Sequence, residues 1–291
     1  MERALGDELA RVLGAAVRRA SPLSGGDIND AYEVQLEDGR RVFVKANARS
    51  PSGMFEAEAH GLAWLAEARA LRVPEVLAFG GGDGGVPAFL VLEFLERARP
   101  RRGFDEELGR GLAELHRAGS DSFGFREDNF IGRLPQSNRA RARWVDFYRE
   151  ERLGAQLTLA EKSGLATAKL RRGFERLFAR LADLLGPEEP PARLHGDLWG
   201  GNLHVGPAGE PCLIDPAVYA GHREIDLAMM RLFGGFGERV FQAYAEAFPL
   251  AEGHEDRVPL YQLYPLMVHV NLFGGGYVSS VERILARYRR S

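Results

Sequence analysis

The stretch His195-Gly-Asp-Leu-Trp-Gly-Gly-Asn202, followed by Leu203-His-Val205 and then Cys212-Leu-Ile-Asp215, decides how the rest of the chain is read. Asp197 and Asn202 stand five residues apart in a glycine-rich loop, a length that can aim a carboxylate at one group and an amide oxygen at another. Two short apolar runs joined by Gly206-Pro-Ala-Gly209 predict a hairpin that returns Asp215 beside the amide. Hard oxygen donors of this kind suit Mg²⁺, which keeps several waters and takes further ligands from substrate phosphates. An Asp-x₄-Asn pair alone is an ordinary polar turn. With His-Gly before it and a hairpin ending in Ile214-Asp215 after it, the pattern instead predicts magnesium-assisted phosphoryl transfer. Asp197 then serves as the base, and Asn202 and Asp215 serve as metal ligands.

Phosphoryl transfer also needs a clamp on the ATP phosphates, and the first third of the chain offers one. Residues 33–36 and Arg41-Val-Phe-Val-Lys45 alternate apolar and polar around Asp38-Gly39, a hairpin signal. Lys45 ends that strand, and a helix predicted over 55–68 carries Glu58 as its preferred partner; Glu56 faces another side of the helix. Upstream, Gly25-Gly26 lies in a turn whose backbone N–H groups can approach phosphate oxygens. Where the small lobe ends, Glu93-Phe94-Leu95 can lend backbone groups to an adenine edge, with Leu203, Val205 and Ile214 packing on the base. ATP and Mg²⁺ are the expected cofactors. No Gly-Lys-Ser/Thr phosphate loop and no strand–Gly-x-Gly-x-x-Gly–helix unit occurs, and the glycines at 80–85 lead into neither a helix nor a lysine.

The order of elements is α+β. An amphipathic helix is predicted over 5–19, then strands near 75–79 and 88–94, and from about residue 105 the pattern is mainly helical. Helices are expected near 140–160, 168–185, 224–233, 238–247 and 258–273. The break at Glu96-Arg-Ala-Arg-Pro-Arg-Arg102 separates an ATP-clamping lobe, 1–95, from a catalytic and substrate lobe, 96–291. A small lobe with an antiparallel sheet and a larger helical lobe make a protein-kinase-like arrangement, with a cleft expected between them.

Bulk composition fits a soluble globular enzyme. Of 291 residues 45% are apolar and 27% charged, and 38 basic against 41 acidic side chains leave a net charge of −3, so no global basic footprint points to nucleic acid. One cysteine, Cys212, excludes an internal disulfide. Neither a signal-like amino terminus nor a run of roughly 18–20 apolar residues is present, and a cytoplasmic protein with no membrane partner is expected.

Across nearly its whole length the chain resembles the fructosamine/ketosamine-3-kinase family, a branch of the aminoglycoside-phosphotransferase-like kinases. The resemblance is carried by Gly25-Gly-Asp-Ile-Asn29, Phe43-Val-Lys45, Phe55-Glu-Ala-Glu58, Leu112-Ala-Glu-Leu-His116 and Asp128-Asn-Phe-Ile-Gly132. It continues in Pro135-Gln-Ser-Asn138, Phe147-Tyr148, Arg152, the His195–Asn202 block, Asp215-Pro-Ala-Val-Tyr219 and Gly221-His-Arg-Glu-Ile-Asp226. The tryptophan inside the loop and the Asp-Asn-x-Ile-Gly segment are more specific than the wider superfamily pattern.

The resemblance implies that Asp197 positions or deprotonates a sugar hydroxyl, that Asn202 and Asp215 hold magnesium, and that Lys45 with Glu58 orients ATP. It implies a ketoamine substrate, on a free amine or a protein lysine, phosphorylated at the sugar 3-hydroxyl; the product sheds its sugar, which is protein deglycation. Trp199, Asp128 and Asn129 become candidates for substrate contact, and His195 and Asp226 support the loop. A kinase for an aminoglycoside, choline or an amino alcohol is the nearest rival reading, and a non-catalytic pseudokinase would be expected to have lost Lys45, Asp197 or Asp215. Asp27 stands where some family members carry a cysteine, so redox control through that turn is not expected. Asp215 is followed by Pro216-Ala rather than Phe-Gly, unlike a protein kinase.

Overall fold

The computed structural model describes residues 1–23 and 29–289. In chain order the elements are α1 (Arg3–Leu13), β1 (Val17–Leu23), β2 (Asp30–Leu36), β3 (Arg41–Asn47), α2 (Met54–Glu67), β4 (Val76–Gly80), β5 (Ala88–Glu93) and α3 (Phe104–Arg117). There follow β6 (Asn129–Ile131), β7 (Leu134–Gln136), α4 (Trp144–Phe147), a π-wound segment (Tyr148–Gly154), α5 (Ala155–Lys162), α6 (Ala168–Leu184) and β8 (Ala192–Leu194). The remainder comprises β9 (Leu203–Val205), β10 (Pro211–Leu213), β11 (Tyr219–Gly221), α7 (Glu224–Phe233), α8 (Glu238–Ala247), α9 (His254–Tyr261), α10 (Leu263–Phe273) and α11 (Val278–Leu285). Among the described residues no helix is long and apolar enough to cross a membrane.

Two compact units divide the chain. The first is Met1–Phe104 with His204–Asp215, and the second is Asp105–Leu203 with Pro216–Ser291. The first unit therefore runs past residue 95 and takes in the segment ending at Asp215.

In the first unit a five-stranded antiparallel sheet has the order β1-β2-β3-β5-β4. The strand period of two sorts its side chains. Val42, Val44 and Ala46 of β3, with Phe89 and Val91 of β5, pack on Leu5 and Leu9 of α1. Leu90 and Leu92 of β5, with Phe43 of β3, pack on Phe55, Ala59 and Leu62 of α2. Each fully buried valine, leucine or phenylalanine among them contributes about 1.5–3 kcal/mol. Alternation therefore points Lys45 to the α2 face, and the 55, 58, 59, 62 stripe of α2 puts Glu58 on the face that looks back.

Three departures from the sequence expectations have local causes. The first helix stops at Leu13 rather than near 19, because Gly14 adopts a left-handed cap at φ 70° and Val17–Leu23 leaves as an edge strand on β2. The helix expected over 140–160 begins only at Trp144 and passes through the π-wound segment before α5. The one expected over 258–273 is two helices, α9 with Pro259 inside it and α10. By contrast, β9, α7 and α8 lie where the pattern put them.

The second unit is built on one large core. It joins Trp144, Phe147 and Tyr148 to Leu170, Phe174 and Leu177 of α6 and to Tyr261, Tyr264 and Met267 of α9 and α10. Among the described residues two small strand pairs lie in this unit, β6 with β7 and β8 with β11. The β8–β11 pair sets Tyr219 opposite Leu194, directly before the His195 loop.

Candidate active site

In the first unit Lys45 is only 7% exposed, and its Nζ lies 2.7 Å from Oε1 of Glu58 and 2.7 Å from Oδ1 of Asp215. Burial works against the ammonium, but the two carboxylates outweigh it and hold the lysine above its ordinary pKa. Burial raises Glu58 despite the neighbouring lysine, with the Asp215 charge adding to the rise. Glu56, the weaker partner, is exposed on the outer side of α2. Asp215 ends the chain's return from the β9–β10 hairpin in a left-handed conformation at φ 55°. Non-glycine residues held there cluster at functional sites. Its side chain stays 44% exposed, so one face of the carboxylate holds Lys45 while the group remains reachable from solvent.

The second unit holds the Asp197 loop. Asn202 donates from Nδ2 to the Asp197 carbonyl oxygen at 2.8 Å and to Asp197 Oδ2 at 3.1 Å, so both residues are locked in one turn. With Nδ2 committed in this way, the other polar atom of the side chain is Oδ1, the hard oxygen a magnesium ion takes. Asp226, 1% exposed at the start of α7, accepts the backbone N–H of His195 at 2.8 Å and of Gly196 at 3.0 Å. His116 Nε2 lies 3.3 Å from the same carboxylate, and its Nδ1 lies 2.7 Å from the Tyr244 hydroxyl. Gly196 has φ 82°, and a Cβ there would meet the Ala217 carbonyl oxygen at 2.0 Å, so only glycine fits. The Asp197 backbone N–H donates to Nδ1 of His195 at 3.3 Å, which ties the two residues together.

The remaining candidates sort by what their side chains touch. Trp199 is 42% exposed, and its indole lies over Gly201, where a Cβ would meet the ring at 2.3 Å. Gly200 donates to the Gly234 carbonyl at 3.2 Å, which pins the tryptophan's base. Asp128 is exposed, and its Oδ1 accepts the Asn138 backbone N–H at 2.7 Å. Asn129, the other residue of that candidate pair, is 5% exposed and bonds Val218, Gln136 and Asn138 inside the unit. Its amide braces the unit from within, because a short side chain on β6 pairs with neighbouring core groups. In the first unit the Glu93 carboxylate accepts from the Glu75 backbone N–H and from Arg72, and Arg41 stacks on the Phe94 ring at 4.8 Å. Phe94 and Leu95 are half-buried where the chain leaves β5. Gly25 and Gly26 lie outside the described residues.

The profile of the fructosamine kinase family matches residues 1–291. The chain belongs to the fructosamine kinase family. A chloroplastic protein-ribulosamine 3-kinase of Arabidopsis thaliana is 40% identical over 277 residues, which cover 94% of this chain and 83% of that protein. A crystal structure from Thermobifida fusca, provisionally a fructosamine-3-kinase, superposes with a TM-score of 0.89 at 37% identity, covering 100% of both chains. The aminoglycoside phosphotransferase APH(4)-Ia in a ternary complex with ADP and hygromycin B has a TM-score of 0.66 at 16% identity, covering 99% of both chains. That distant likeness shows the fold alone, which is the protein-kinase-like one.

Membership of the fructosamine kinase family makes the chain a phosphotransferase that acts on a sugar hydroxyl, and it implies ATP with a divalent metal. Several residues around the Asp197 loop carried no role in the sequence reading: Tyr244, Gln136, Tyr264 and the acceptor position of Ala217. His116 had a visible signal, a polar residue on the Leu108, Leu112, Leu115 stripe of α3, where all are buried. The others join through tertiary contacts that no local period announces.

Proposed function

We propose that the protein is an ATP- and Mg²⁺-dependent ketosamine 3-kinase. It phosphorylates the 3-hydroxyl of fructosamine- or ribulosamine-type adducts on free amines or protein lysines. The observation that carries this reading is the family match from residue 1 to residue 291; the Lys45–Glu58 and Lys45–Asp215 ion pairs and the Asp197–Asn202 turn support the roles given to those side chains. Lys45, held by Glu58, orients the ATP phosphates, and the backbone of 93–95 and of Gly25-Gly26 serves the nucleotide. Asp197 accepts the proton of the sugar hydroxyl as its oxygen attacks the γ-phosphorus, and the bond from that phosphorus to the β–γ bridging oxygen breaks to release ADP. Asn202 and Asp215 would hold Mg²⁺, which would supply neutralisation of charge on the transferred phosphate. Their donor set suits the ion: a carboxylate on a reachable side chain and an amide oxygen. Trp199 offers a half-exposed flat ring for a sugar face, and Asp128 a carboxylate for its hydroxyls. His195 and Asp226 hold the loop.

The test is ADP release by the purified protein with ATP and Mg²⁺, using ribulose-lysine, fructose-lysine, choline or an aminoglycoside as acceptor. Turnover dependent on a ketoamine, with product phosphorylated at the 3-position, is the expected result. Turnover with choline or the aminoglycoside alone would sink the substrate assignment, and no turnover with any acceptor would favour a pseudokinase.

A further inference from the structure

Behind the Asp197 loop, the second unit contains a chain of buried polar side chains for which the reaction itself has no use. Arg152 is fully buried, with no carboxylate partner among the described residues, and donates to the Ser137 carbonyl at 2.6 Å and to Asn138 Oδ1 at 2.7 Å. Asn138 passes the connection on, its Nδ2 donating to Asn129 Oδ1 at 2.9 Å. The same oxygen accepts Gln136 Nε2 at 2.7 Å, and Gln136 Oε1 accepts the Tyr264 hydroxyl. The side chains of Arg152, Asn138, Asn129, Gln136 and Tyr264 are each nine-tenths or more buried.

The network ends on a particular piece of backbone. Gln136 donates to the Ala217 carbonyl at 3.1 Å, and Asn129 to the Val218 carbonyl at 2.8 Å. From its other side, Ala217 donates its N–H to the His195 carbonyl at 2.9 Å, and Gly196 abuts its carbonyl oxygen. A second route runs through rings. The Arg152 guanidinium lies 3.7 Å from the centroid of Tyr219, and a Cβ on Gly196 would come within 3.3 Å of that same ring. Tyr264 is close enough to Asp197 to feel its charge. Burial raises the phenol to about 12, Arg152 opposes the rise and the Asp197 carboxylate adds to it.

A buried polar network of this size is costly, the more so because Arg152 Nε has no hydrogen-bond partner among the described residues, and the bonds the network does make fix one geometry. An apolar filling of the same space would stabilise the core at least as well. Stability alone therefore does not explain its presence against the loop. We propose that the network Arg152–Asn138–Asn129–Gln136–Tyr264 sets the position of the Ala217–Val218 backbone and, through it, of the His195–Asp197 loop, with Gln136 and Tyr264 as positioning residues for phosphoryl transfer. Its kinetic part rests on Asp197 being the base; its geometric part does not.

Tyr264→Phe removes one hydroxyl and leaves the ring, so the unit keeps its core; Arg152→Lys is the second variant, keeping the charge while losing the planar fork. Thr167→Ala, which removes the cap of α6 far along the chain, is the control for lost stability as such. Steady-state kinetics with a ketoamine and amide hydrogen exchange at 195–198 are measured for all three. The expected result for Tyr264→Phe is a kcat about 10-fold lower with the ATP KM within about twofold, as a small misplacement of a catalytic group gives. Exchange at Gly196 and Asp197 should speed up, and Thr167→Ala should show neither change. Unchanged loop exchange in both Tyr264→Phe and Arg152→Lys would overturn the proposal, as would a kcat loss in Thr167→Ala equal to that in Tyr264→Phe. If Asp197→Asn retains full activity, the base assignment fails, and loop exchange still decides the positioning.

Discussion

Nζ of Lys45 donates to Oε1 of Glu58 at 2.7 Å across the gap between β3 and α2, and both side chains are nearly closed off from water. A buried pair broken by removing one member leaves an uncompensated charge. Lys45→Met should therefore do two things. The kcat/KM for ATP should fall on the order of 100-fold, the scale of losing one preorganised charge at a phosphate. Stability should also become pH-dependent with a definite sign. Burial already raises Glu58, and loss of the lysine raises it further, so the folded state binds more protons than the unfolded one between the two pKa values. Stability then falls as pH rises through that window. Urea unfolding of the variant and the wild type at pH 5 and pH 8, compared at each pH so that shared contributions such as His222 cancel, should find the variant's deficit smaller at the lower pH.

Asp197→Asn keeps the shape of the turn, because the Asn202 amide still reaches the residue's backbone carbonyl at 2.8 Å. What disappears is the proton acceptor. A kcat lower by roughly 10²–10⁴-fold is expected, with ATP affinity within a few-fold of the starting protein. Titration with a fluorescent ATP analogue alongside the kinetics checks both. Equal loss of binding and turnover would make Asp197 a structural residue.

Much of this site was legible because its chemistry is written locally. Lys45 lies at a predictable strand position, and Glu58 falls on the inward stripe of an amphipathic helix. Asp197, Asn202 and Asp215 share one loop and one hairpin. The edge strand β1 was not legible, because Val17-Arg-Arg-Ala-Ser-Pro-Leu23 has polar residues on an open edge and continues a helical pattern until Gly14 is known to cap it. Nor was the role of Asn129. Its motif drew attention, yet its three partners come from residues 136, 138 and 218, and only tertiary structure shows that they enclose it.

Asp226 accepts two consecutive backbone N–H groups at the root of the loop, with His116 against the same carboxylate. Asparagine is nearly isosteric but turns an NH₂ towards one of those donors. Asp226→Asn should lose on the order of 2–3 kcal/mol, since a buried donor goes unsatisfied. Thermal unfolding should shift down by several degrees, and kcat should fall with it as the loop relaxes. The ATP KM should change less than kcat, because no nucleotide contact is assigned to Asp226.

His222 gives the protein an acid-sensitive point away from the site. The ring is 2% exposed, stacks on Tyr261 at 5.3 Å and accepts the Glu224 backbone N–H at Nδ1, which leaves the neutral form's proton on Nε2. Nε2 has no hydrogen-bond partner among the described residues, and the nearest carboxylate oxygen, on Glu189, is 3.8 Å away. Burial is the main force on the group. Glu189 favours the cation, Arg223, Arg257 and His116 oppose it, and the pKa falls to about 4. In the unfolded chain the imidazole titrates near 6.5. Between those values the unfolded state binds more protons, so stability is fully present above about 6.5 and is lost as pH falls towards 4, by roughly 3 kcal/mol. Glu224, raised by burial, contributes with the opposite slope. Wild type and His222→Gln should therefore be compared at each pH, so that the shared contributions cancel. The difference in unfolding free energy between them should change across pH 6.5 to 4 in favour of the variant, and a difference that stays flat would place His222's proton elsewhere.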